Sequence, residues 1–444
     1  MDRAASGTRF PSVIWLIVAV ALALRIGFAL FAPRALFSDE VEYDRLAWTL
    51  ATTGAYSDEG HPTAYRPVGY PAFAAGIYRV AGHDPMAIRL AQAGVDACSV
   101  LLLYLLAAPR RRVGLWAAGI WALYPSAVTY TRLLMPETVF TAVLLGAAVL
   151  ARRGGLWSDA GADARAWGPA LGLGMLLGCL ALLKPAAILL AAALPLAAIL
   201  MRERLPAARV GLIALGWLLV AGPWMVRNQV VLGAPTLATN TGANLLIGNN
   251  PNATGGYTAD VPEGMVSRAG AEGPASSAAI GAAARYIREH PARFVLMGVA
   301  KVARVFGTEG EMIVVSFHEN PGNRTTRLRE KYRALPAWLH LLVSGPYALL
   351  MLLGSLGFLI YPRDEVRATF LAVLGCWLAT HFVFFGGSRF HFPLMPFFAL
   401  FTAGVLADPA GAVRALAPRR IAATAVIWLG LLSIWAAEIA TIST

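Results

Sequence analysis

Leu36-Phe37-Ser38-Asp39-Glu40-Val41-Glu42-Tyr43-Asp44-Arg45, running on to Tyr56, sets a cluster of carboxylates directly behind a long apolar run from Pro11 to Phe31. That junction decides the fold class. The apolar run matches the roughly 20 residues with which an α-helix crosses a bilayer, so the acidic stretch falls at a membrane edge. Arg3 and Arg9 precede the run, as they would in a secretory leader. The run is long, however, and lacks a clear small-residue cleavage site, so it reads as a retained first span with its N-terminus inside.

The rest of the chain agrees. Of 444 residues, 58% are hydrophobic and 14% charged, and the mean hydropathy is +0.61. A soluble domain carries roughly 25% charged residues. This is the composition of a multi-pass membrane protein, with room for about ten to twelve helices and one sizeable loop. The net charge of +12 reads as arginines at cytoplasmic span ends and against lipid phosphate, with the bilayer rather than nucleic acid as the partner. Cys98, Cys179 and Cys376 all sit inside apolar runs and read as small core residues, not as a disulfide or metal framework. His61, His290, His318 and His391 lack zinc-ligand spacing.

Charge in the short loops predicts about eleven spans, near 11–32, 86–108, 113–130, 136–153, 167–184, 186–201, 210–226, 336–360, 368–386, 393–407 and 421–440. Arg110-Arg111-Arg112, Arg152-Arg153, Arg202, Arg204, Arg209, Arg363, Arg367, Arg414, Arg419 and Arg420 mark the inside ends, and 154–166 is a short inside loop. Two outer loops remain. The first, 33–85, is expected to hold a helix from Asp39 to Thr53 ended by Gly54, and an amphipathic interfacial helix over 66–80. The second, 227–335, opens with the Asn- and Gly-rich stretch Thr239 to Pro251 and reads as helix over 276–306, broken near His290-Pro291. Residues 1–444 form one all-α transmembrane domain. No repeat is strong enough for an inverted-repeat transporter, and no detachable soluble domain is expected.

This topology collects the unusual polar residues on the outer side: Asp39, Glu40, Glu137, Lys184, Arg227 and Arg389. Ionisable groups at a membrane edge are functional candidates. Each also has a structural explanation. Asp39 suits a helix N-terminus, with Glu42 closing a capping box. That role is compatible with a general base, because a helix N-terminus keeps a carboxylate ionised and able to accept a proton. Asp44 pairs with a neighbouring arginine in this scheme. Glu137 follows Pro136 and suits a first helical turn. The alternative makes it a second carboxylate facing Asp39, binding substrate or, with Asp39, a hard divalent cation. Lys184 is either a snorkelling lysine or a point charge for a lipid phosphate. Arg389 and Arg227 are interfacial anchors or phosphate ligands. Tyr65, Arg66, Tyr70 and Tyr124 line an acceptor site or belong to an aromatic belt.

The order of these patches resembles the polytopic C-type glycosyltransferases. The Asp-Glu pair after the first span, Tyr-Arg-Pro-Val-Gly-Tyr-Pro at 65–71, and Tyr124-Pro125-Ser126 followed by Leu133-Leu134-Met135-Pro136-Glu137 are most similar to the protein O-mannosyltransferase and lipid A aminoarabinose transferase branch. Arg227-Asn228, the Thr239–Asn250 stretch and Arg389–Pro396 resemble later patches of its bacterial members, so the resemblance runs over about 12–405. It implies the C-type glycosyltransferase fold in a bacterial inner membrane, with the active site outside. The donor is a sugar on a polyprenyl phosphate; the acceptor is a hydroxyl on a lipid, glycan or protein. Asp39 matches the family's catalytic aspartate, supported by Glu40, and transfer inverts the anomeric centre. Lys184 matches a phosphate-binding lysine, with Arg389 and Arg227 as further candidates on the donor phosphate. Glu137 matches the second-loop acidic position, and Tyr65, Arg66 and Tyr124 are substrate-binding candidates. The lectin-like domain of eukaryotic mannosyltransferases and the soluble C-terminal domain of aminoarabinose transferases have no counterpart, which leaves the acceptor open. Two other activities use similar parts. A polyprenyl-linked glycan ligase or polymerase would be expected to rely on arginine and histidine rather than an Asp-Glu pair. A lipid-linked sugar flippase would need charged positions at mid-span, where the sequence is nearly empty of them.

Overall fold

The structure, a computed structural model, describes residues 10–32, 35–36, 39–154, 167–193, 196, 206–258, 260–262, 265, 272–310 and 334–443. Arg3, Arg9, the inside loop 155–166, Arg202, Arg204 and His318 lie outside the described residues. The chain folds into helices, with a single two-stranded hairpin, Ser57–Asp58 (β1) against His61–Pro62 (β2), among the described residues.

Local chemistry sets most helix ends. After α1 (Ser12–Phe31), α2 (Asp39–Thr53) begins with three carboxylates in its first turn, Asp39, Glu40 and Glu42. They sit where the helix dipole favours negative charge. It stops at Gly54, whose φ of 72° is a left-handed conformation that glycine adopts without strain. α3 (Gly69–Ala81) follows. α4 (Pro85–Ala107) starts at an Asp84 cap whose carboxylate accepts from the Met86 N–H at 2.9 Å, with Pro85 at the first helical position. The expected third span is not one rod. Pro125 lacks an N–H to continue the ladder, so the chain divides into α5 (Arg111–Leu123) and α6 (Pro125–Tyr130). α7 (Glu137–Arg153) and the apolar α8 (Trp167–Leu183) follow. The expected sixth span begins as a 3₁₀ turn, Pro185–Leu189, and most of its remainder lies outside the described residues.

α9 (Ala207–Leu232) is longer than the apolar run suggested and ends on left-handed Gly233. The second outer loop holds α10 (Asn240–Gly248), α11 (Glu272–Glu289) and α12 (Pro291–Val305). The break between the last two falls at Pro291, where the sequence placed it. The chain then runs through α13 (Ala337–Ile360), α14 (Glu365–Val383), a 3₁₀ helix Ser388–Leu394, α15 (Met395–Ala407), α16 (Pro409–Arg414) and α17 (Pro418–Ser443). Among the described residues, 7 helices are long and apolar enough to cross a membrane: α1, α4, α9, α13, α14, Ser388–Ala407 and α17.

Small residues let the rods approach closely. At the α8–α9 crossing, a Cβ added to Gly174 would stand 2.1 Å from the Ile213 carbonyl oxygen, and one on Gly216 would stand 2.3 Å from that of Leu171. A Cβ added to Gly69, which opens α3, would stand 2.6 Å from the Leu182 backbone, so the bare glycine lets the first outer loop sit against the end of α8 beside Lys184.

The mid-span expectation needs correction. Arg25 of α1 and Asp96 of α4 are both fully buried and form an ion pair at 2.5 Å. Arg25 also donates to the carbonyls of Ala21, Trp121 and Ala122, and the Trp121 indole N–H donates to Asp96 at 3.1 Å. The sequence hides this pair because the partners are 71 residues apart in otherwise apolar helices. Each charge is satisfied, so the pair locks α1, α4 and α5 together without lining a polar path.

The two ends of the bundle differ. At one end of α7, Glu137 meets Lys184; at the other, Arg152 approaches Asp364 and Glu365, both at 3.9 Å, and Arg110 pairs with Asp364 at 2.6 Å. At 1.5 Å per residue those ends stand roughly 25 Å apart. The Arg110 and Arg152 end is the one the sequence assigned to the inside.

Candidate active site

Three segments distant in sequence converge on Asp39. α2 supplies the carboxylate. The loop before α3 brings Arg66, whose Nη2 lies 2.9 Å from Asp39 Oδ1. The 3₁₀ helix Ser388–Leu394 brings Arg389, whose Nη1 lies 3.1 Å from Asp39 Oδ2. Both carboxylate oxygens therefore carry a guanidinium. Arg66 also pairs with Glu42 at 2.7 Å and lies over the rings of Tyr43 and Tyr65. Burial on its own would raise the Asp39 pKa, but the charges of Arg389 and Arg66 outweigh it and hold the carboxyl below its ordinary 3.8. Asp39 is thus an ionised group at neutral pH, and it keeps a quarter of its side-chain surface open.

A second ion pair stands beside the first. Lys184, at the end of α8, donates to Glu137 at 2.8 Å. The ammonium lies 5.6 Å from the Phe140 ring centre and 6.0 Å from those of Trp377 and Phe390. The same Phe390 ring lies 5.0 Å from the Arg389 guanidinium carbon. The Phe390 ring thus touches both cations, which joins the Lys184–Glu137 pair to the Asp39–Arg389 pair. Glu137 Oε2 is buried and has no hydrogen-bond partner among the described residues.

The other sequence candidates fall elsewhere. Glu40 is fully buried and accepts from the Leu134 N–H at 2.8 Å, tying α2 to the loop before α7. Glu42 is taken by Arg66 and not by a capping box, because Asp39 is itself the first helical residue and points to the two arginines. Among the described residues Asp44 pairs with no arginine: it accepts from the Tyr78 hydroxyl and lies 3.0 Å from His83. Tyr70 is buried and donates to Gln92 at 2.8 Å. Tyr65 is partly exposed beside Arg66. Arg227 is not brought to the cluster. Its guanidinium donates to the carbonyls of Thr63 (2.7 Å) and Tyr56 (2.8 Å) and to Asn228 (2.9 Å), and stacks on Trp224. It clamps the loop that carries Arg66. Glu272 helps, accepting from Thr63, Ala64 and Thr239.

Tyr124 points away from the opening. It is 2% exposed and donates to Glu309 at 2.8 Å. Glu309 also accepts from Ser126 at 2.8 Å and meets His391 Nε2 at 3.1 Å. Sequence reasoning passed over Glu309, one of several acids in the long outer loop, with no motif around it.

The described residues do not fit a metal held by Asp39 and Glu137. Asp39 has a guanidinium on each oxygen, Glu137 is neutralised by Lys184, and no group of three His, Cys, Asp or Glu side chains comes together among the described residues.

The fold and site define a class: a multi-pass helical membrane protein with paired carboxylates and cations gathered at one end of the bundle. A family model described as dolichyl-phosphate-mannose-protein mannosyltransferase matches residues 65–226, a stretch containing Glu137 and Lys184. Comparison with curated proteins finds no match. Among solved structures, the oligosaccharyltransferase AglB from Archaeoglobus fulgidus, in complex with an inhibitory peptide and a dolichol-phosphate, superposes with a TM-score of 0.51 at 15% identity. The match covers 95% of this chain and 54% of that one, so this chain spans about half the length of AglB. The apo form of the same organism's enzyme gives 0.50 at 14% identity, with coverage of 95% and 54%. ArnT from Cupriavidus metallidurans bound to undecaprenyl phosphate gives 0.45 at 15% identity, covering 89% of this chain and 78% of that one. The chain shares the fold of these Archaeoglobus fulgidus oligosaccharyltransferase structures, and its residues 65–226 match the mannosyltransferase family model.

Proposed function

We propose that the chain is an inverting glycosyltransferase that moves a sugar from a polyprenyl-phosphate donor to an acceptor hydroxyl at the outer face of a bacterial inner membrane. The observation that carries this is the Phe390 ring shared by Arg389 and Lys184. It brings two cations to one ring, with an ionised carboxylate paired to one of them. Two cations beside one carboxylate are what displacement at an anomeric carbon needs when the leaving group is a phosphate.

The chemistry follows from the charges. The acceptor oxygen attacks the anomeric carbon as its proton passes to Asp39. The bond between that carbon and the phosphate oxygen breaks, and its electron pair leaves with the polyprenyl phosphate. Negative charge on the phosphate grows through the transition state, and preorganised cations stabilise it there. Lys184 and Arg389 supply that charge. Glu137 holds Lys184 in place, and Arg66 holds Asp39. Glu40 supports from behind by fixing the start of α2 to Leu134. Binding of a phosphate at Arg389 withdraws a guanidinium from Asp39 and so makes the carboxylate a better base when the donor is present.

The test is Asp39→Asn, introduced into cells lacking the chromosomal copy. Mass spectrometry of cell-envelope glycans and glycoproteins should show a glycan that depends on the wild-type chain and is lost in the variant. Restoration by the variant would remove Asp39 from the base role.

A further inference from the structure

The 3₁₀ helix Ser388–Leu394 presents its residues in two directions. Arg389 and Phe390 face the ion pairs, whereas His391 and Phe392 enter the core. Phe392 packs its ring 4.1 Å from that of Tyr130 and 5.5 Å from that of Trp121. His391 is 1% exposed and stacks on Tyr347 with ring centres 4.4 Å apart. Its Nδ1 lies 2.9 Å from the Val305 carbonyl, and its Nε2 lies 3.1 Å from Glu309 Oε1.

These two contacts fix a proton count. A carbonyl oxygen only accepts, so Nδ1 carries the hydrogen. Nε2 then faces a carboxyl oxygen that already accepts from Tyr124 and Ser126. A bare ring nitrogen against a bare carboxylate oxygen would repel, so the contact requires a proton shared between them. Glu309 is fully buried. The result is a neutral, proton-bridged pair joining α6, the outer loop after α12 and the 3₁₀ helix.

We propose that Glu309 and His391 are positioning residues that aim Arg389 at the site. Arg389 stands two residues from His391, on a segment also held by the Trp377 indole donating to the Phe390 carbonyl at 2.6 Å. Neither Glu309 nor His391 touches Asp39 or Lys184. They act through the position of Arg389 on this segment, and the functional consequence rests on Arg389 being a ligand of the donor phosphate.

The experiment uses the full chain in detergent or nanodiscs, with undecaprenyl phosphate as the probe. In Glu309→Ala, a cryo-EM or crystal structure is expected to show Arg389 displaced beyond about 4 Å from Asp39, and affinity for undecaprenyl phosphate is expected to fall about tenfold. Glu309→Gln keeps the oxygen that accepts from Tyr124 and Ser126 and loses the shared proton to His391, so both readouts should move less than in Glu309→Ala. The double variant Glu309→Ala/Arg389→Ala should bind no more weakly than Arg389→Ala alone, because Glu309 acts only through Arg389. Where Glu309→Ala does not fold, His391→Phe keeps the stack on Tyr347 and tests the same displacement. An undisturbed Arg389–Asp39 contact in Glu309→Ala or His391→Phe, or additive losses in the double variant, overturns the proposal. If Arg389 is displaced while the wild-type chain fails to bind undecaprenyl phosphate, the positioning role stands and the donor assignment falls.

Discussion

Arg389 reaches Asp39 across 350 residues of sequence, donating from Nη1 to Oδ2 at 3.1 Å, while Arg66 holds the other carboxylate oxygen at 2.9 Å. This double clamp separates Asp39 from the other acids of its helix. Glu40 is consumed by a backbone N–H, Glu42 by Arg66 and Asp44 by Tyr78 and His83. Only Asp39 faces both a cation from the far end of the chain and a partly open surface. Asp39→Asn keeps shape while removing proton affinity. Proton transfer by a positioned base contributes about 10²–10⁴ in rate, so transfer is expected to fall by that factor while undecaprenyl phosphate still binds. A variant retaining more than about a tenth of the wild-type rate would exclude Asp39 as the base.

The same clamp predicts a pH dependence. The folded-state pKa of Asp39 lies below its ordinary 3.8. Its contribution to stability is therefore present above the unfolded value and lost as pH falls through the folded one. Because Asp39 is partly exposed, solvent screening keeps that contribution small. Removing Arg389 removes the largest opposing charge and lets burial raise the pKa. In Arg389→Ala, both the acid limb of transfer and the acid unfolding midpoint should move to higher pH. Thermal unfolding of both proteins from about pH 3 to 7 checks this; coincident profiles would show that Arg389 does not tune Asp39.

Glu137 and Lys184 make a more buried pair, with side-chain exposures of 3% and 12%. Removing one partner of such a pair strands the other, at a cost of about 3–5 kcal/mol. Lys184→Met should therefore lower the unfolding temperature and abolish undecaprenyl phosphate binding. Lys184→Met/Glu137→Leu removes the stranded charge and should recover stability but not binding. Recovery of both would mean that Lys184 serves the fold alone.

What the sequence showed and what it hid divide along the range of the forces involved. The limits of α2, from Asp39 to Gly54, and the break at His290-Pro291 were legible because acidic first turns, left-handed glycines and prolines act within a few residues. The gathering of Asp39, Glu137, Lys184 and Arg389 at one end was legible from loop charge, since each lies at a span end. Their pairing was not. Nothing local says that Arg66 answers Asp39, or that Arg227 spends its donors on the carbonyls of Tyr56 and Thr63. Backbone acceptors leave no mark in sequence. Glu309 was hidden for a different reason: its three side-chain partners come from two distant segments.

The buried Arg25–Asp96 pair gives a last expectation, about the fold rather than the chemistry. Asp96 also accepts from Trp121, and Arg25 spends its remaining donors on three carbonyls. Arg25→Met leaves a carboxylate in an apolar interior, and three carbonyls lose a donor. The cost is expected to be about 3–5 kcal/mol, seen as poor membrane yield and a lower unfolding temperature. Arg25→Met/Asp96→Leu removes both charges and should recover much of that loss, since apolar replacement of a whole buried pair is often neutral. The glycan product should persist in the double variant, because neither residue reaches the Asp39 site. If the double variant folds normally but makes no product, the pair belongs to the working cycle, and the mid-span charge required of a lipid-linked sugar flippase would then count in favour of that activity.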